Sequence, residues 1–326
     1  MSVGTNHEAV RAANALQSGS ATRRNWTRYS NRTFYLFIAP WLLGFIGLGV
    51  IPLAYALAIS FTNFDGMGSH WRWIGLDNYT EALGDPDVWY SLSRTLLYMV
   101  ITVPLGVFGG LGLALLLNKR MRGVGLFRTV FYLPSIVPVV AVAVLWRIVF
   151  DRDAGILNAL IEMAHGSAIA WLIDPTAFIA LIIMVLWGLG GGTVIFLAGL
   201  QGVPAELKEA AAIDGANGRQ AFRAVTLPLL TPVLLFTVIT GAIGALQTFI
   251  QPLLLTTGGS DATYTTPRTI LLYMIYAYQQ FFNNQRFGYG SALLWVLFMV
   301  VLVITLVVFR SSSMWVYYEV AHEKEG

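Results

Sequence analysis

Six long apolar runs, separated by polar segments, dominate the pattern along the chain. They cover residues 34–61, 95–117, 130–150, 177–200, 227–255 and 289–309. A helix of about 20 apolar residues crosses the hydrocarbon core of a bilayer, and each run is at least that long. The pattern therefore predicts an all-α integral membrane protein with six transmembrane helices. Several runs contain proline, which membrane helices tolerate where neighbouring groups satisfy the freed carbonyls.

The polar segments define the rest of the organisation. Residues 1–33 form a basic tail, residues 34–309 the six-helix domain and residues 310–326 a second tail. The two tails carry five and two Lys or Arg residues, and the loops 118–129 and 201–226 carry four and three, which together make 14 of the 20 in the chain. Because cytoplasmic loops are enriched in Lys and Arg, both termini are predicted to be cytoplasmic.

Composition supports a membrane location and narrows the classes of function. Only 11% of residues are charged and 56% are hydrophobic, whereas soluble domains carry about 25% charged residues. The net charge of +3 is too weak to indicate a nucleic-acid partner. The chain has no cysteine, and its four histidines are scattered, so no metal site is predicted.

The apolar runs contain no Asp, Glu, Lys or His. A charge at the centre of a membrane helix is costly and usually marks an ion or proton pathway. The absence of such residues from the apolar runs argues against proton-coupled transport by this chain. If a solute passes, an uncharged one is favoured. The chain also lacks the G-x-x-x-x-G-K-[S/T] phosphate-binding loop, so any ATP-driven work requires a nucleotide site on another subunit.

A cluster of four glycines interrupts the fourth apolar run, at Gly188, Gly190, Gly191 and Gly192. Small residues allow two membrane helices to pack closely. Four glycines in five positions also favour a widened or unwound stretch that lines a cavity. The sequence leaves these two interpretations open.

The polar loop 201–226 has the pattern of a helix, a turn and a second helix. Pro204 suits a helix start, the alanines that follow are strong helix formers, and Gly215 favours a sharp break. The second helix is expected over 217–225, ending before Pro228. From patterning alone, an amphipathic connector lying on the membrane surface is an equal alternative.

Three motifs in and after this loop resemble a known family. Glu209-Ala210-Ala211, then Asp214-Gly215-Ala216, then Leu227-Pro228 resemble the EAA loop of binding-protein-dependent ABC importer permeases. Other segments resemble the sugar branch of that family, with the maltose-type first permease subunit as the nearest type. They are Gly75-Leu76-Asp77-Asn78-Tyr79, residues 122–128, 150–158 and 196–201, and Thr257-Gly258-Gly259. Ser260 departs from the pattern, which often has Gly or Pro there.

The resemblance implies a type I ABC importer permease core with a cytoplasmic EAA coupling helix, in the plasma (inner) membrane of a bacterium. It also implies the partners, which are a second six-helix permease subunit, a cytoplasmic ATPase dimer and an extracytoplasmic solute-binding protein. The chain is then not an enzyme and binds no cofactor, since ATP and Mg²⁺ belong to the ATPase. The implied cargo is a carbohydrate, with an oligosaccharide or disaccharide expected.

The resemblance also assigns candidate site residues. The coupling residues are Glu209, Ala210, Ala211, Asp214, Gly215 and Ala216, where Glu209 is expected to pair with a basic group on the ATPase. Asp214 is expected to cap or orient the turn, with a purely local turn cap as the alternative. The candidate sugar contacts are Trp187, Gly188, Gly191, Gly244, Gln247, Thr248 and Gln251. For Gln247 and Gln251 the alternative is interhelical hydrogen bonding.

Six residues are candidates for docking the solute-binding protein, namely Asp151, Arg152, Asp153, Gly258, Gly259 and Asp261. An ordinary solvated loop is the alternative for each of them. A stand-alone secondary carrier for a neutral solute is the second functional hypothesis, because sodium coupling through backbone carbonyls needs no intramembrane charge. A membrane scaffold or enzyme is the third, and only the hydrophobicity of the chain favours it.

Overall fold

A computed structural model of the protein describes residues 31–68, 71–119, 122–256 and 266–317. The backbone falls into two compact units, residues 1–55 and 56–326. Almost all regular structure in the described residues is helical, and Thr62 and Trp73 add a single antiparallel bridge. Most of both predicted polar tails lies outside the described residues, so the boundaries at 33 and 309 stay predictions.

The described part of the first unit consists of helix α1 (Asn31–Phe45), a π-helix (Ile46–Val50) and the beginning of α2 (Ile51–Ile59). The helices that follow are α3 (Asp77–Gly84), α4 (Pro86–Leu117), α5 (Val124–Ile136), α6 (Val139–Val149), α7 (Ile156–Met163), α8 (Ala177–Trp187), α9 (Gly190–Gly202), α10 (Ala205–Ile213), α11 (Gly218–Ala221), α12 (Leu227–Leu246), α13 (Ile250–Thr256), α14 (Tyr273–Tyr278) and α15 (Phe287–Trp315). Two further π-helices (Phe222–Thr226 and Gln279–Asn283) and a 3₁₀ turn (Arg268–Ile270) connect some of them.

The six predicted membrane helices correspond to four single helices and two bent pairs. The single helices of membrane-crossing length are Arg32–Ile59, Pro86–Leu117, Gly218–Leu246 and Phe287–Trp315. The bent pairs are Val124–Ile136 with Val139–Val149, at 100°, and Ala177–Trp187 with Gly190–Gly202, at 41°. The all-α membrane class is confirmed, and six crossings result if each bent pair is one span.

Besides the fourth run, which bends at its glycine cluster, two predicted continuous spans are interrupted in the structure. The third breaks at Val137, which is extended because the proline at 138 disfavours helical backbone in the residue before it. The fifth, predicted over 227–255, ends at Leu246, and α13 starts only at Ile250. Hydropathy averages side chains over a window and does not detect such local backbone changes.

The prediction that a loop helix ends before Pro228 is wrong. Residues Gly218–Leu246 form one helix of 29 residues, and Pro228 lies inside it. The π-helix Phe222–Thr226 widens the backbone just before the proline, so the N–H of Leu227 donates to the carbonyl of Phe222, five residues back. This wider turn accommodates a proline that has no N–H and would clash in an unmodified helix.

Helix α4 lies at the centre of the packing in the second unit. The second half of α4 contacts α9 and α12, and its first half contacts α8 and α14. One buried cluster joins α4 to α9 and α12 through Leu111, Phe196 and Leu230. Another joins its first half to α8 and to the segment before α14 through Tyr98, Leu181 and Leu272.

One end of the bundle is tied together by Asp174, in the loop before α8. Its carboxylate accepts hydrogen bonds from the backbone N–H groups of Arg268 and Thr269, at 2.7 and 2.9 Å. The side chain of Arg94, on α4, donates to the carbonyl of Thr269 at 3.0 Å. We call this the Asp174 end. The side chain of Arg128 donates to the carbonyl of Leu117 at the opposite end, which we call the Arg128 end.

A second carboxylate, Asp85, joins three helices at the Asp174 end. It caps the start of α4 and accepts hydrogen bonds from the hydroxyls of Tyr276 and Tyr289. Burial alone raises the pKa of Asp85, but the bonds from Tyr276, the N–H of Asp87 and Tyr289 outweigh it and hold the pKa below 3.8. The carboxylate therefore stabilises the fold above pH 3.8, and this contribution is lost as the pH falls through the lower folded-state value.

Replacing this carboxylate should destabilise the protein. In Asp85→Ala the buried hydroxyls of Tyr276 and Tyr289 lose their acceptor, at a cost of about 1–3 kcal/mol for each unsatisfied group. We expect a lower midpoint of thermal unfolding for the purified protein in detergent. Asp65→Ala is the control, because Asp65 accepts only from backbone N–H groups in an exposed turn. Equal midpoints for the two variants would contradict this role of Asp85.

Candidate functional site

Helix α10 is a short exposed helix whose C-terminal end is capped. Gly215 follows it with φ of +82°, in the left-handed region that glycine adopts without steric cost. The N–H of Gly215 donates to the carbonyl of Ala212 at 3.1 Å, and that of Ala216 to the carbonyl of Ala211 at 2.9 Å. These two bonds make a Schellman motif, which satisfies carbonyls that a helix end otherwise leaves free.

The chain leaves this turn through a second cap. The side chain of Asn217 accepts from the N–H groups of Arg219 and Gln220, and the side chain of Gln220 accepts from the N–H of Asn217. This reciprocal pair is a capping box, and it starts the long helix Gly218–Leu246. The sequence analysis missed it, although Asn followed three residues later by Gln is its signal.

The predicted coupling residues thus lie together on α10 and the turn after it. Glu209, Ala210 and Asp214 are exposed, and no residue of α10 is buried. Ile213, at the end of the helix, is 87% exposed. A short helix with an exposed apolar end and an exposed carboxylate is a surface that suits another protein.

Two cavities lie among the membrane-length helices. Cavity A has a volume of about 380 Å³ and lies between α4, the bend of α8 and α9, and α12. Its polar lining is neutral and consists of Tyr98, Thr102, Thr237 and Thr240. The three threonine hydroxyls donate to carbonyls four residues back in their own helices, which leaves oxygen lone pairs available to a ligand. Sequence analysis missed these residues, although Thr237 and Thr240 recur at helical spacing.

Cavity B has a volume of about 670 Å³ and surrounds the break between α12 and α13. Four predicted sugar contacts line it, namely Gly244, Gln247, Thr248 and Gln251. The remaining lining is apolar, from Val139 on α6 to Leu294, Leu297, Phe298 and Val301 on α15. Two amides and a hydroxyl in an apolar wall suit a neutral polar ligand.

Tyr98 and Thr248 each contribute a hydroxyl to one of the two cavities. Tyr98 lines cavity A, and Thr248 lines cavity B. Thr248 also donates to the carbonyl of Gly244 at 3.1 Å. This bond satisfies an acceptor at the end of α12, where the helix leaves its carbonyls without the usual partner.

The glycine cluster serves both purposes that the sequence left open. A Cβ atom at position 190 would lie 1.7 Å from the carbonyl oxygen of Phe131, and one at 191 would lie 3.2 Å from the Cβ of Ser135. These two glycines let α9 pack closely against α5. Gly188 and Gly192 instead line cavity A.

The remaining predicted sugar contacts have other neighbours. The ring of Trp187 meets that of Trp146 edge to face, with centroids 6.1 Å apart, and neither cavity includes Trp187 in its lining. Gly191 lies at the contact of α9 with α5, as described above. A direct role for Trp187 and Gly191 in binding sugar stays a prediction.

The predicted docking residues lie in two loops, one of which is described. The carboxylate of Asp151 accepts from the N–H groups of Asp153 and Ala154, which forms a local turn in which Arg152 and Asp153 are exposed. These backbone bonds hold the pKa of Asp151 below 3.8. Gly258, Gly259 and Asp261 lie outside the described residues.

The Gly-Leu-Asp-Asn-Tyr segment has a structural role. The buried side chain of Asn78 donates to the carbonyls of Ser60 and Thr62, both at 2.8 Å. The hydroxyl of Tyr79 is hydrogen-bonded to that of Ser60 at 2.7 Å. Together these bonds fasten the end of α2 to α3.

A helical bundle with several membrane-length helices in the described residues is the architecture of a multi-pass membrane protein. Residues 82–318 match the family model of the binding-protein-dependent transport system inner membrane component. The chain belongs to this family. It is a membrane transport subunit rather than an enzyme.

Two curated relatives are similar over most of the chain. The probable ABC transporter permease protein YesP of Bacillus subtilis (strain 168) is 40% identical over 300 residues, which is 91% of this chain and 95% of that protein. The trehalose/maltose transport system permease protein MalF of Thermococcus litoralis is 33% identical over 275 residues, 84% of this chain and 91% of the relative.

A solved structure has the same fold. It is a bacterial alginate ABC transporter in complex with an alginate pentasaccharide-bound periplasmic protein. The match has a TM-score of 0.76 at 21% identity and covers 87% of this chain and 95% of that one. The fold of this chain is therefore that of a type I ABC importer permease.

Position 190 should not tolerate a side chain, because α9 packs closely against α5 there. Gly190→Ala places a methyl group against the backbone of Phe131, and overpacking of this kind costs about 1–3 kcal/mol. We expect a lower unfolding midpoint and less monodisperse protein after extraction. Gly192→Ala is the matched control, because a Cβ there has no neighbour within 4 Å. The close-contact assignment fails if both variants behave like the parent protein.

Proposed function

We propose that this chain is one permease subunit of an ATP-driven, binding-protein-dependent importer for a carbohydrate, with an oligosaccharide or disaccharide as the expected cargo. The observation that carries the proposal is α10, an exposed helix closed by a Schellman motif at the position of the EAA resemblance. The trehalose and maltose named for the Thermococcus litoralis relative support a sugar as cargo.

In this proposal α10 is the coupling helix. It binds a cleft in a cytoplasmic ATPase, where Glu209 pairs with a basic group and the exposed side chain of Ile213 enters an apolar pocket. ATP-driven closure of the ATPase dimer then displaces α10. The capped turn at Gly215 passes this displacement to the helix Gly218–Leu246, because both sides of the turn are fixed by hydrogen bonds.

Cavities A and B form this chain's part of the solute pathway. Their polar lining contains hydroxyls and amides and no charged group, which suits the hydroxyls of a neutral sugar. Gln247, Thr248 and Gln251 contact the sugar from cavity B. Trp187 and Gly191 are further candidate sugar contacts, since an indole ring can stack on an apolar sugar face.

The remaining partners complete the importer. A second six-helix permease subunit forms the other half of the pathway, and a solute-binding protein delivers the sugar at the Asp174 end, near Asp151, Arg152 and Asp153. The periplasmic protein bound to the alginate transporter supports this partner. Both termini and α10 face the cytoplasm of a bacterial cell in this arrangement, as the distribution of Lys and Arg predicts.

A bulky residue at position 215 should uncouple the transporter. In Gly215→Val the left-handed backbone is strained, so the Schellman turn opens and α10 no longer moves with the helix that follows. We expect normal insertion into the membrane and normal assembly, but loss of most ATP-dependent uptake in proteoliposomes. The control is Gly218→Val, since Gly218 has ordinary backbone geometry and free space around it.

Retained uptake in Gly215→Val would contradict the coupling role of this turn. Uptake by the purified chain alone, without an ATPase or ATP, would instead show a secondary carrier. The two results are distinguishable because the first requires the whole complex and the second requires only this subunit.

A saccharide panel tests the solute site. We expect neutral oligosaccharides or disaccharides to stimulate the ATPase activity of the purified complex. Gln247→Leu keeps the side-chain volume but removes the amide, and the concentration for half-maximal stimulation should rise about tenfold, equivalent to about 1.4 kcal/mol. Gln201→Leu, at the Arg128 end of α9 and exposed, is the control. An unchanged concentration dependence in Gln247→Leu counts against cavity B as the sugar site.

A further inference from the structure

We propose that α7 (Ile156–Met163) is an interfacial anchor that lies in the lipid headgroup region at the Asp174 end of the bundle. Its outward face is a continuous apolar stripe of Ile156, Ala159, Leu160 and Met163, at positions i, i+3, i+4 and i+7 of one helix face. The exposed fractions of Ile156, Leu160 and Met163 are 61%, 55% and 76%. An apolar stripe of this kind requires an apolar environment outside the chain.

The roll of α7 about its axis is fixed by Asn158 on the opposite face. This buried side chain donates to the carbonyls of Arg152 and Ile169, at 2.9 and 2.8 Å. Its oxygen accepts from the N–H of Ile169 at 3.1 Å and from the indole N–H of Trp171 at 3.0 Å. With these bonds in place, the stripe cannot rotate inward to bury itself against the protein.

The depth of α7 is set by its contacts with the end of the preceding span. Gly155 begins the helix, and a Cβ there would lie 2.1 Å from the carbonyl oxygen of Asp151 and 2.7 Å from that of Val149. Leu157, on the inward face, packs against the buried cluster that contains Phe150. The helix therefore starts beside the end of α6, which belongs to a helix pair that is long and apolar enough to cross a membrane.

The surroundings of the stripe favour lipid over a soluble protein. Leu145 and Ile148, on the helix α6 that ends seven residues before α7, are also exposed and apolar, as a lipid-facing span requires. The exposed charged groups nearby are Asp151, Arg152 and Asp153 in the preceding turn and Glu162 off the stripe. This division, with apolar residues on one face and charged groups beside it, is the pattern of a helix that lies in the interface plane.

The absence of cysteine makes a direct test straightforward. Single cysteines introduced as Leu160→Cys and Met163→Cys, each carrying a nitroxide label, report on the stripe. Asp153→Cys and Glu162→Cys are the controls off the stripe. Each variant is assembled into the membrane complex in lipid nanodiscs, without the solute-binding protein that is proposed to dock near Asp153, and the collision rates of the label with O₂ and with a water-soluble nickel chelate are measured.

We expect the ratio of O₂ to nickel collisions to be several-fold higher at positions 160 and 163 than at the two controls, because O₂ partitions into lipid and the chelate does not. Equal ratios at all four positions would place the stripe in water and overturn the proposal. Low collision rates with both reagents at 160 and 163 would show that another protein covers the stripe, which also overturns it.

Discussion

The need to satisfy every backbone N–H and carbonyl inside the hydrocarbon shapes the structure more than any single contact. Where a membrane-length helix breaks, a local substitute replaces the lost bond. The hydroxyl of Thr248 donates to the carbonyl of Gly244 at the end of α12, and the N–H of Gly188 donates to the carbonyl of Val185, three residues back, at the end of α8. At these two breaks, a side chain or a tightened turn makes the interruption tolerable.

The same requirement explains where the cavities lie. Val139, just after the first break, lines cavity B, and Gly188 at the second lines cavity A. Gln247, at the third, lines cavity B. Irregular backbone at membrane depth exposes polar groups, and it is stable where these border a space that admits water or solute. The neutral polar groups of the two cavities therefore come from helix ends as well as from side chains.

The sequence predicted the helical class, the approximate spans and the turn at Gly215, because apolar runs and a glycine between two helical segments are strong local signals. It did not predict the break at Gln247, since this depends on one residue's backbone within a uniformly apolar run. The continuous helix through Pro228 was missed because a π-helix before a proline has no clear sequence signature. The polar lining of cavity A was missed because Tyr98, Thr102 and Thr237 come from helices that only the fold brings together.

The continuity of Gly218–Leu246 has a mechanical consequence. A helix of 29 residues is a rod of about 43 Å, at a rise of about 1.5 Å per residue. Its first turn is capped by Asn217, and its last turn adjoins Gln247 in the wall of cavity B. A tilt of such a rod by about 5° displaces its far end by about 4 Å. This displacement exceeds the length of a hydroxyl hydrogen bond, which is about 2.5–3.0 Å between oxygen atoms. Amplification by length allows a small movement at one membrane surface to change the shape of a cavity deep in the bilayer.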